Sequence, residues 1–245
     1  MAAKPKPFAT EVDLCAAFLA ALPAGWTAFN ETAGWDILLV RDADGFQIGI
    51  QAKLKFNLSV LHQAIEGPIG IYSHADGPDC RAVLVPDGEG RLGSLGAFLC
   101  LTVITVRGSA RERWLPVFDP ELPKAGTERW REPWYELAPM RRHKLPEYVP
   151  DCRAGDKAPL QLTPWKIKAL KLAVLLERNG SVTRADFQHL DLDHRRWLSG
   201  QWLQLDFATN RWVRGDRYPD FAAQHPRNFA EIKADAPNWM PKVAA

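Results

Sequence analysis

The sequence lacks the features that direct a chain into a membrane or cross-link it covalently. No stretch reaches the roughly 18 uncharged apolar residues of a membrane-spanning helix, and residues 1–8 lack the apolar core of a secretory signal. The four cysteines form no C-x-x-C pair, and none lies beside a histidine at zinc-ligand spacing; they are Cys15, Cys80, Cys100 and Cys152. We therefore expect a non-membrane protein with reduced thiols, located in the cytoplasm, where association with the nucleoid is also compatible with the sequence.

The composition is that of an ordinary globular protein. Among 245 residues, 24% are charged and 47% are hydrophobic, which excludes a disordered chain, a collagen and a coiled coil. This length accommodates two domains that each bury a core. We place a first domain at 1–110, a proline-rich connector at 111–160 and a second domain at 161–245. The ten tryptophans are expected mainly in the core.

Charge is unevenly distributed between the two predicted domains. The first holds 8 Lys and Arg against 11 Asp and Glu, whereas the second holds 13 against 9, so the net charge of +2 conceals an acidic and a basic part. A basic segment is typical of nucleic-acid-binding modules, although a solvated surface explains this small excess equally well.

The first domain alternates helical and strand-like segments. Thr10 and Asp13 form a capping box at the start of a helix that runs from Glu11 to about Leu22. Three strands follow, at residues 26–30, 35–41 and 46–54, and then a helix at 58–66, a strand at 81–86, a helix at 92–100 and a strand at 101–107. This order predicts an α/β domain with one mixed sheet flanked by helices.

The second domain has the pattern of a mainly α winged helix-turn-helix. Thr163 and Pro164 begin a first helix that ends near Gly180, and a second capping box, Thr183 with Asp186, begins a short second helix. A third helix is predicted from 194 to about 204, followed by a hairpin with its tip at 209–210 and its return strand at 211–214. The alternative is a small helical bundle for protein contacts. Donors for phosphates and base edges lie on the third helix and the wing: Arg195, Arg196, Ser199, Gln201, Gln204, Arg211 and Arg214.

One hairpin of the first domain carries groups that suit phosphodiester hydrolysis. A turn at 42–45 brings Asp36 and Gln51 across from one another, and Lys53 points to the same face as Gln51. Hydrolysis needs a divalent cation held by oxygen ligands, with a positive group near the reacting phosphate. Asp36 and Gln51 are candidate metal ligands, Lys53 is the candidate catalytic cation, and Glu11 on the first helix is a further carboxylate. Alternatively, Asp36 and Lys53 form one ion pair on an inert sheet.

Over about residues 8–107, these residues and this order of elements resemble the PD-(D/E)xK nuclease superfamily, also called restriction endonuclease-like. The Q-x-K form is similar to Mrr-like restriction enzymes and to the nuclease subunit of heteromeric transposases, which also places a winged helix after the nuclease domain. The resemblance implies that Asp36 and Gln51 bind Mg²⁺ or Mn²⁺, that Lys53 activates water and stabilises charge, and that Glu11 is an accessory acid. It also implies that Gln63, on the next helix, faces the active site and contacts nucleic acid.

Two departures from the family pattern matter. Gly34 and Trp35 stand where the family has a proline before the motif aspartate, and Gln51 replaces the usual acid. A neutral ligand weakens metal binding.

The leading expectation is a metal-dependent DNA endonuclease whose winged helix docks DNA or a protein partner. The alternative is a catalytically inactive nuclease-fold factor that binds DNA or protein. RNA as substrate and a homodimeric assembly stay open.

Two further basic positions have competing interpretations. The run Arg141-Arg142-His143-Lys144 either meets a DNA backbone or is a solvated charged segment. His62, beside Gln63, either contacts a phosphate or is a solvated helix residue, and a solvated helix position is the alternative for Gln63 as well.

Overall fold

The computed structural model describes residues 7–65, 76–89, 93–108, 115–126, 133–137, 139–157 and 160–241. They belong to two compact units, one within 1–145 and 152–159 and the other within 146–151 and 160–245. The segment 111–160, expected as a connector, contributes residues to both units. In the described part of the chain, no helix has the length and apolar character needed to cross a membrane.

The first unit is a mixed α/β unit built on a six-stranded sheet. Its elements in chain order are α1 (Glu11–Ala20), β1 (Trp26–Thr32), β2 (Trp35–Arg41), β3 (Gln47–Ala52), α2 (Leu58–Ile65), β4 (Cys80–Pro86), α3 (Gly93–Phe98), β5 (Thr102–Val106) and β6 (Phe118–Asp119). The strands lie in chain order across the sheet. β3 is parallel to β4, and β4 is parallel to β5. The pairs β1–β2, β2–β3 and β5–β6 are antiparallel. The expected mixture of parallel and antiparallel strands is confirmed.

The sheet is covered on both faces. Every residue of β3 is buried, as is usual for a central strand that accepts helices on both sides. Along β4, Ala82 and Leu84 pack in the same core as Leu14 and Phe18 of α1. The alternate residues of that strand, Val83 and Val85, pack with α2 and α3 in a second core. The period of two along β4 thus separates an α1 side from an α2 side.

Short-range signals set several of these boundaries. Thr10 and Asp13 form the expected capping box, in which the Thr10 hydroxyl accepts from the Asp13 amide and the Asp13 carboxylate accepts from the Thr10 amide. Asn57 Oδ1 accepts from the Val60 amide at the start of α2. β1 and β2 are joined through Ala33 and Gly34, which both have positive φ angles, a conformation that suits a two-residue hairpin turn.

The segment after β5 packs against the sheet through long-range contacts. Trp134 lies against the α1-side core and donates its indole N–H to the carbonyl of Glu121. Further on, the buried amide of Gln47 exchanges two hydrogen bonds of 2.9 Å with the backbone of His143. Trp114 and Trp130, which were expected in the core, lie outside the described residues.

The second unit consists of six helices and one hairpin among the described residues. They are α4 (Pro164–Asn179), α5 (Arg184–His189), α6 (His194–Ser199), β7 (Leu203–Asp206), β8 (Arg211–Arg214), α7 (Phe221–Gln224), α8 (Pro226–Ala234) and α9 (Ala236–Trp239). The caps at Thr163 and Thr183 and the left-handed Gly180 are as expected. Trp197 is fully buried at the centre of this core, and its ring packs edge-on against Phe187.

The predicted third helix is too long. α6 ends at Ser199, and Gln201 adopts a positive φ angle of 58° within the turn that leads to β7. Gln201 therefore lies in a turn, and Gln204 lies on β7. Two features end the helix: Gly200 is a poor helix residue, and the Gln201 carbonyl accepts from the Arg217 amide, which lies beyond the hairpin.

Helices α7 to α9 follow the hairpin and were not predicted. They hold the segment 146–151 through a buried network. Asp151 Oδ1 lies 2.7 Å from Nδ1 of the fully buried His225, and its Oδ2 accepts from the amides of Arg227 and Asn228. The Asn228 side chain donates in return to the carbonyl of Val149. This short piece of the proline-rich segment is therefore integral to the second unit.

Candidate functional site

Asp36 lies near the start of β2, where the strand meets the end of β3. The β2–β3 register extends to the pair Ile37 and Ile50, and Asp36 and Gln51 are the next residues along the two strands. Asp36 Oδ2 accepts a hydrogen bond of 2.7 Å from the Ala52 amide. Burial raises the pKa of Asp36, while the Ala52 amide and the Lys53 ammonium partly oppose this shift. The carboxylate is thus fixed in position, but its neighbours stabilise its negative charge less than burial destabilises it.

Lys53 extends from the end of β3 towards α1. Its backbone amide continues the sheet ladder by donating to the carbonyl of Leu84, and its ammonium lies 2.9 Å from Glu11 Oε2. Both side chains are about one-third exposed or less, at 27% and 30%. The alternative interpretation expected an ion pair between Asp36 and Lys53. Lys53 pairs with Glu11 instead, and its charge acts on the Asp36 carboxylate only through space.

Glu31 is a third carboxylate of this region, and it was not among the residues expected from the sequence. It lies between Asn30 and Thr32 of β1, at the register position opposite Asp36. Its Oε1 accepts from the Gly155 amide at 2.8 Å. Burial and the charge of Asp36 raise the pKa of Glu31 to about 7. The two-residue turn at Ala33-Gly34 was the signal that could have placed Glu31 opposite Asp36.

Cys15 of α1 lies beneath this group of charges. It is 1% exposed, and burial together with the nearby Asp36, Glu31 and Glu11 raises the pKa of its thiol. We call Glu11, Glu31, Asp36 and Lys53 the ionic cluster. The cluster contains three carboxyl groups and one ammonium, and that ammonium pairs with Glu11.

The donor chemistry of the ionic cluster fits a hard divalent cation. Carboxylate and amide oxygens, such as that of Gln51, are ligands that Mg²⁺ and Mn²⁺ prefer. The positive charge of a bound ion would lower the raised pKa values of Asp36 and Glu31. Within the described ranges, no three His, Cys, Asp or Glu side chains are already grouped as a metal site. Binding of an ion would therefore require side chains to reorient, Lys53 and Glu11 among them.

Gln51 lines a separate cleft on the α2 side of the sheet. Its side chain is 7% exposed, and its Nε2 donates to the carbonyl of Gly34 at 2.8 Å. The cleft has a volume of about 440 Å³. We call it the α2-side cleft, and its lining includes Trp35, Gln51, Gln63, Arg81 and His143. The expected side chains are therefore divided: Gln51 and Gln63 line this cleft, whereas Asp36, Lys53 and Glu11 belong to the ionic cluster.

The basic run at 141–144 forms specific contacts within the first unit. Arg141 Nε lies 3.0 Å from Asp76, and Arg142 Nε lies 2.7 Å from Asp79. The neighbouring His143 accepts the indole N–H of Trp35 on its Nε2, and burial lowers its pKa. These contacts attach the segment to neighbouring residues, while Arg141 and Arg142 stay exposed, so the DNA contact and the solvated run both stay predictions. His62 is exposed on α2.

The second unit exposes the side chains that were expected to contact nucleic acid. Arg195, Arg196 and Ser199 lie on α6, and Arg211 and Arg214 lie on β8; all five are exposed, as is Gln201 in the turn. Two of the arginines also lie over aromatic rings, Arg196 over Trp165 at 5.1 Å and Arg214 over Tyr218 at 5.0 Å.

Comparison with protein-family models, with curated proteins and with solved structures finds no match to this chain.

Proposed function

We propose that the chain is a metal-dependent endonuclease that hydrolyses phosphodiester bonds in DNA at the ionic cluster. The observation that carries the proposal is the meeting of Asp36, Lys53 and Glu11 where β2 starts and β3 ends beside α1. The order α1-β1-β2-β3-α2-β4 supports a PD-(D/E)xK nuclease fold for the first unit. The helices α4 to α6 with the hairpin β7-β8 support a winged helix that docks DNA or a protein partner.

Asp36, with Glu11 as accessory acid, would hold Mg²⁺ or Mn²⁺, which supplies positive charge to the phosphate and lowers the pKa of water. Gln51 would join these ligands only after its side chain turns away from Gly34 and out of the α2-side cleft. Lys53 provides a positive charge at the end of β3 for the negative charge that develops on the phosphate. Glu11 holds this ammonium in place at 2.9 Å.

The test is cleavage of plasmid and linear DNA with Mg²⁺ or Mn²⁺. Lys53→Ala is expected to reduce cleavage by at least about a hundredfold, which is typical for loss of one charge-stabilising group. Lys55→Ala is the matched control, since Lys55 is an exposed lysine of the same segment. Cleavage by Lys53→Ala at the wild-type rate, or no cleavage by the wild type, would contradict the proposal.

A second candidate function is a non-catalytic factor that binds DNA or protein and keeps the nuclease scaffold. It is favoured by the way the motif side chains bond to each other and to the backbone: Lys53 to Glu11, and Gln51 Nε2 to Gly34. This function predicts DNA binding that weakens with salt and is unchanged by chelators. Loss of binding on chelation would count against it.

A further inference from the structure

The α2-side cleft holds a positive charge that no carboxylate among the described residues of the first unit neutralises. Arg81, near the start of β4, lines it, and its Nε is buried without a hydrogen-bond partner. A 3.4 Å contact joins Arg81 Nη1 to the carbonyl of Ile65. Among the residues that the structure describes, no carboxylate forms an ion pair with Arg81. Burial correspondingly lowers the pKa of its guanidinium.

Other arginines of the first unit differ from Arg81 in this respect. Arg41 lies 2.7 Å from Asp44, and Arg141 and Arg142 pair with Asp76 and Asp79. Asp76 also lines the cleft, but its carboxylate is already 3.0 Å from Arg141. Among the described residues, Arg81 is thus half-buried without a counter-charge, which is costly, and an anionic ligand would remove that cost.

The remaining lining groups suit an oxygen-rich anion. Gln63 is exposed at the cleft and has amide N–H donors. His143 accepts the Trp35 N–H on its Nε2, so that nitrogen carries no proton and the imidazole stays neutral. A planar guanidinium beside amide donors matches the oxygens of a phosphate, which Arg binds in a bidentate manner.

We propose that the α2-side cleft binds a phosphate group through Arg81, with Gln63 as a second donor. This inference rests on the proposed function for the identity of its natural ligand, which is a phosphodiester of the nucleic-acid strand beside the bond that is cut. Gln51 of β3 lines the cleft, and Asp36 and Lys53 lie at the same end of that strand, beside α1. A nucleic-acid strand that passes around this end of β3 would place one phosphate in the cleft and another at the ionic cluster. A free phosphate or mononucleotide has the same chemistry and is the other source.

The experiment measures binding of inorganic phosphate to the full chain by calorimetry or ³¹P NMR, in chelator so that no cleavage occurs. Arg81→Gln is expected to weaken phosphate binding by at least about tenfold, the effect of losing charge-assisted hydrogen bonds. Arg81→Lys keeps the charge but loses the planar fork, so we expect an intermediate affinity. Arg107→Gln is the matched control, because Arg107 follows the neighbouring strand β5 and lies near Asp87. Thermal unfolding shows whether each variant is folded.

A short single-stranded oligonucleotide then distinguishes the two sources. Displacement of phosphate by the oligonucleotide supports the strand as ligand, whereas displacement only by phosphate and mononucleotides supports the free anion. Folded Arg81→Gln and Arg81→Lys proteins that bind phosphate as tightly as the wild type would overturn the proposal, as would a wild type that binds none. Because binding is measured without metal, a chain that binds phosphate but cuts no DNA would refute the proposed function and leave the phosphate site intact.

Discussion

The Ala52 amide donates a hydrogen bond of 2.7 Å to Asp36 Oδ2 and so joins the end of β3 to the start of β2. The contact fixes the Asp36 carboxylate through the backbone, whose position the sheet already determines. Geometry and charge at this residue are therefore separable. An isosteric amide can keep the hydrogen bond while it removes the charge.

Asp36→Asn is expected to abolish DNA cleavage and to leave the free energy of unfolding near or above the wild-type value at neutral pH. The reason is that burial raises the pKa of Asp36, so the buried charge opposes folding. Asp36→Ala should instead destabilise the chain by about 1–3 kcal/mol, because the Ala52 amide loses its acceptor. Urea unfolding and plasmid cleavage measure the two effects. Equal destabilisation by Asn and Ala would show that the hydrogen bond is unimportant.

The raised pKa of Glu31 predicts that the free energy of unfolding depends on pH. Its pKa is raised from 4.5 to about 7 in the folded chain, so the folded state binds more protons than the unfolded state between these values. Stability from this residue is therefore lost as pH rises from 4.5 to 7, and the loss is complete above 7. Glu31→Gln retains an acceptor for the Gly155 amide and should remove this slope.

Denaturant unfolding at pH 5 and pH 8 tests this expectation. Glu31→Gln should gain stability relative to the wild type at pH 8 and much less at pH 5. Glu89→Gln, an exposed position after β4, is the control and should match the wild type at both values. A Glu31→Gln protein with the wild-type pH slope would contradict the assignment.

Gly49 of β3 allows the indole of Trp35 to lie directly on the sheet. A Cβ atom at position 49 would approach the Trp35 ring to 2.4 Å. Gly49→Ala should therefore displace Trp35 and destabilise the chain by about 1–3 kcal/mol, as overpacking usually does. Gly93→Ala, whose Cβ meets nothing within 4 Å, is the control. Partial recovery of stability in Gly49→Ala combined with Trp35→Leu would identify the clash as the cause.

The strands and helix starts were predictable because their signals are local. β2 spans the predicted 35–41, and both capping boxes, at Thr10 and Thr183, form as expected. Each depends on residues within a few positions, where side-chain donors and apolar periodicity act directly. The antiparallel pairing of β2 with β3, from Val40 with Gln47 to Ile37 with Ile50, also follows from one short hairpin.

The features that were missed depend on residues distant in sequence. Arg141 and Arg142 pair with aspartates more than sixty residues earlier, and Glu31 is held by the amide of Gly155. Sequence spacing carries no information about such contacts. The division of Gln51 from Lys53 has a different cause: Lys53 follows the last residue of β3 and pairs with Glu11, so the alternation of a regular strand no longer determines its direction.

The second unit should depend on the buried Asp151–His225 contact. Asp151→Ala removes the acceptor of His225 Nδ1 and of two backbone amides, those of Arg227 and Asn228. We expect a loss of at least about 2 kcal/mol, since buried donors are left unsatisfied. Hydrogen exchange should report this loss in α7 and α8, while the amides of β2 and β3 keep their protection. Asp216→Ala, at an exposed site, is the control; equal protection in both variants would contradict the prediction.

Exposed arginines of the second unit should determine how DNA binding depends on salt. Arg195 and Arg211 suit this test better than Arg196 and Arg214, because the latter pack over Trp165 and Tyr218 and have structural roles as well. If each of the first two contacts one phosphate, Arg195→Gln or Arg211→Gln should reduce the slope of log affinity against log salt by about 1. Arg184→Gln removes the same charge from an exposed site on α5 and should leave the slope unchanged. Slopes equal to that of the wild type in all three variants would assign the second unit to protein contacts rather than to DNA.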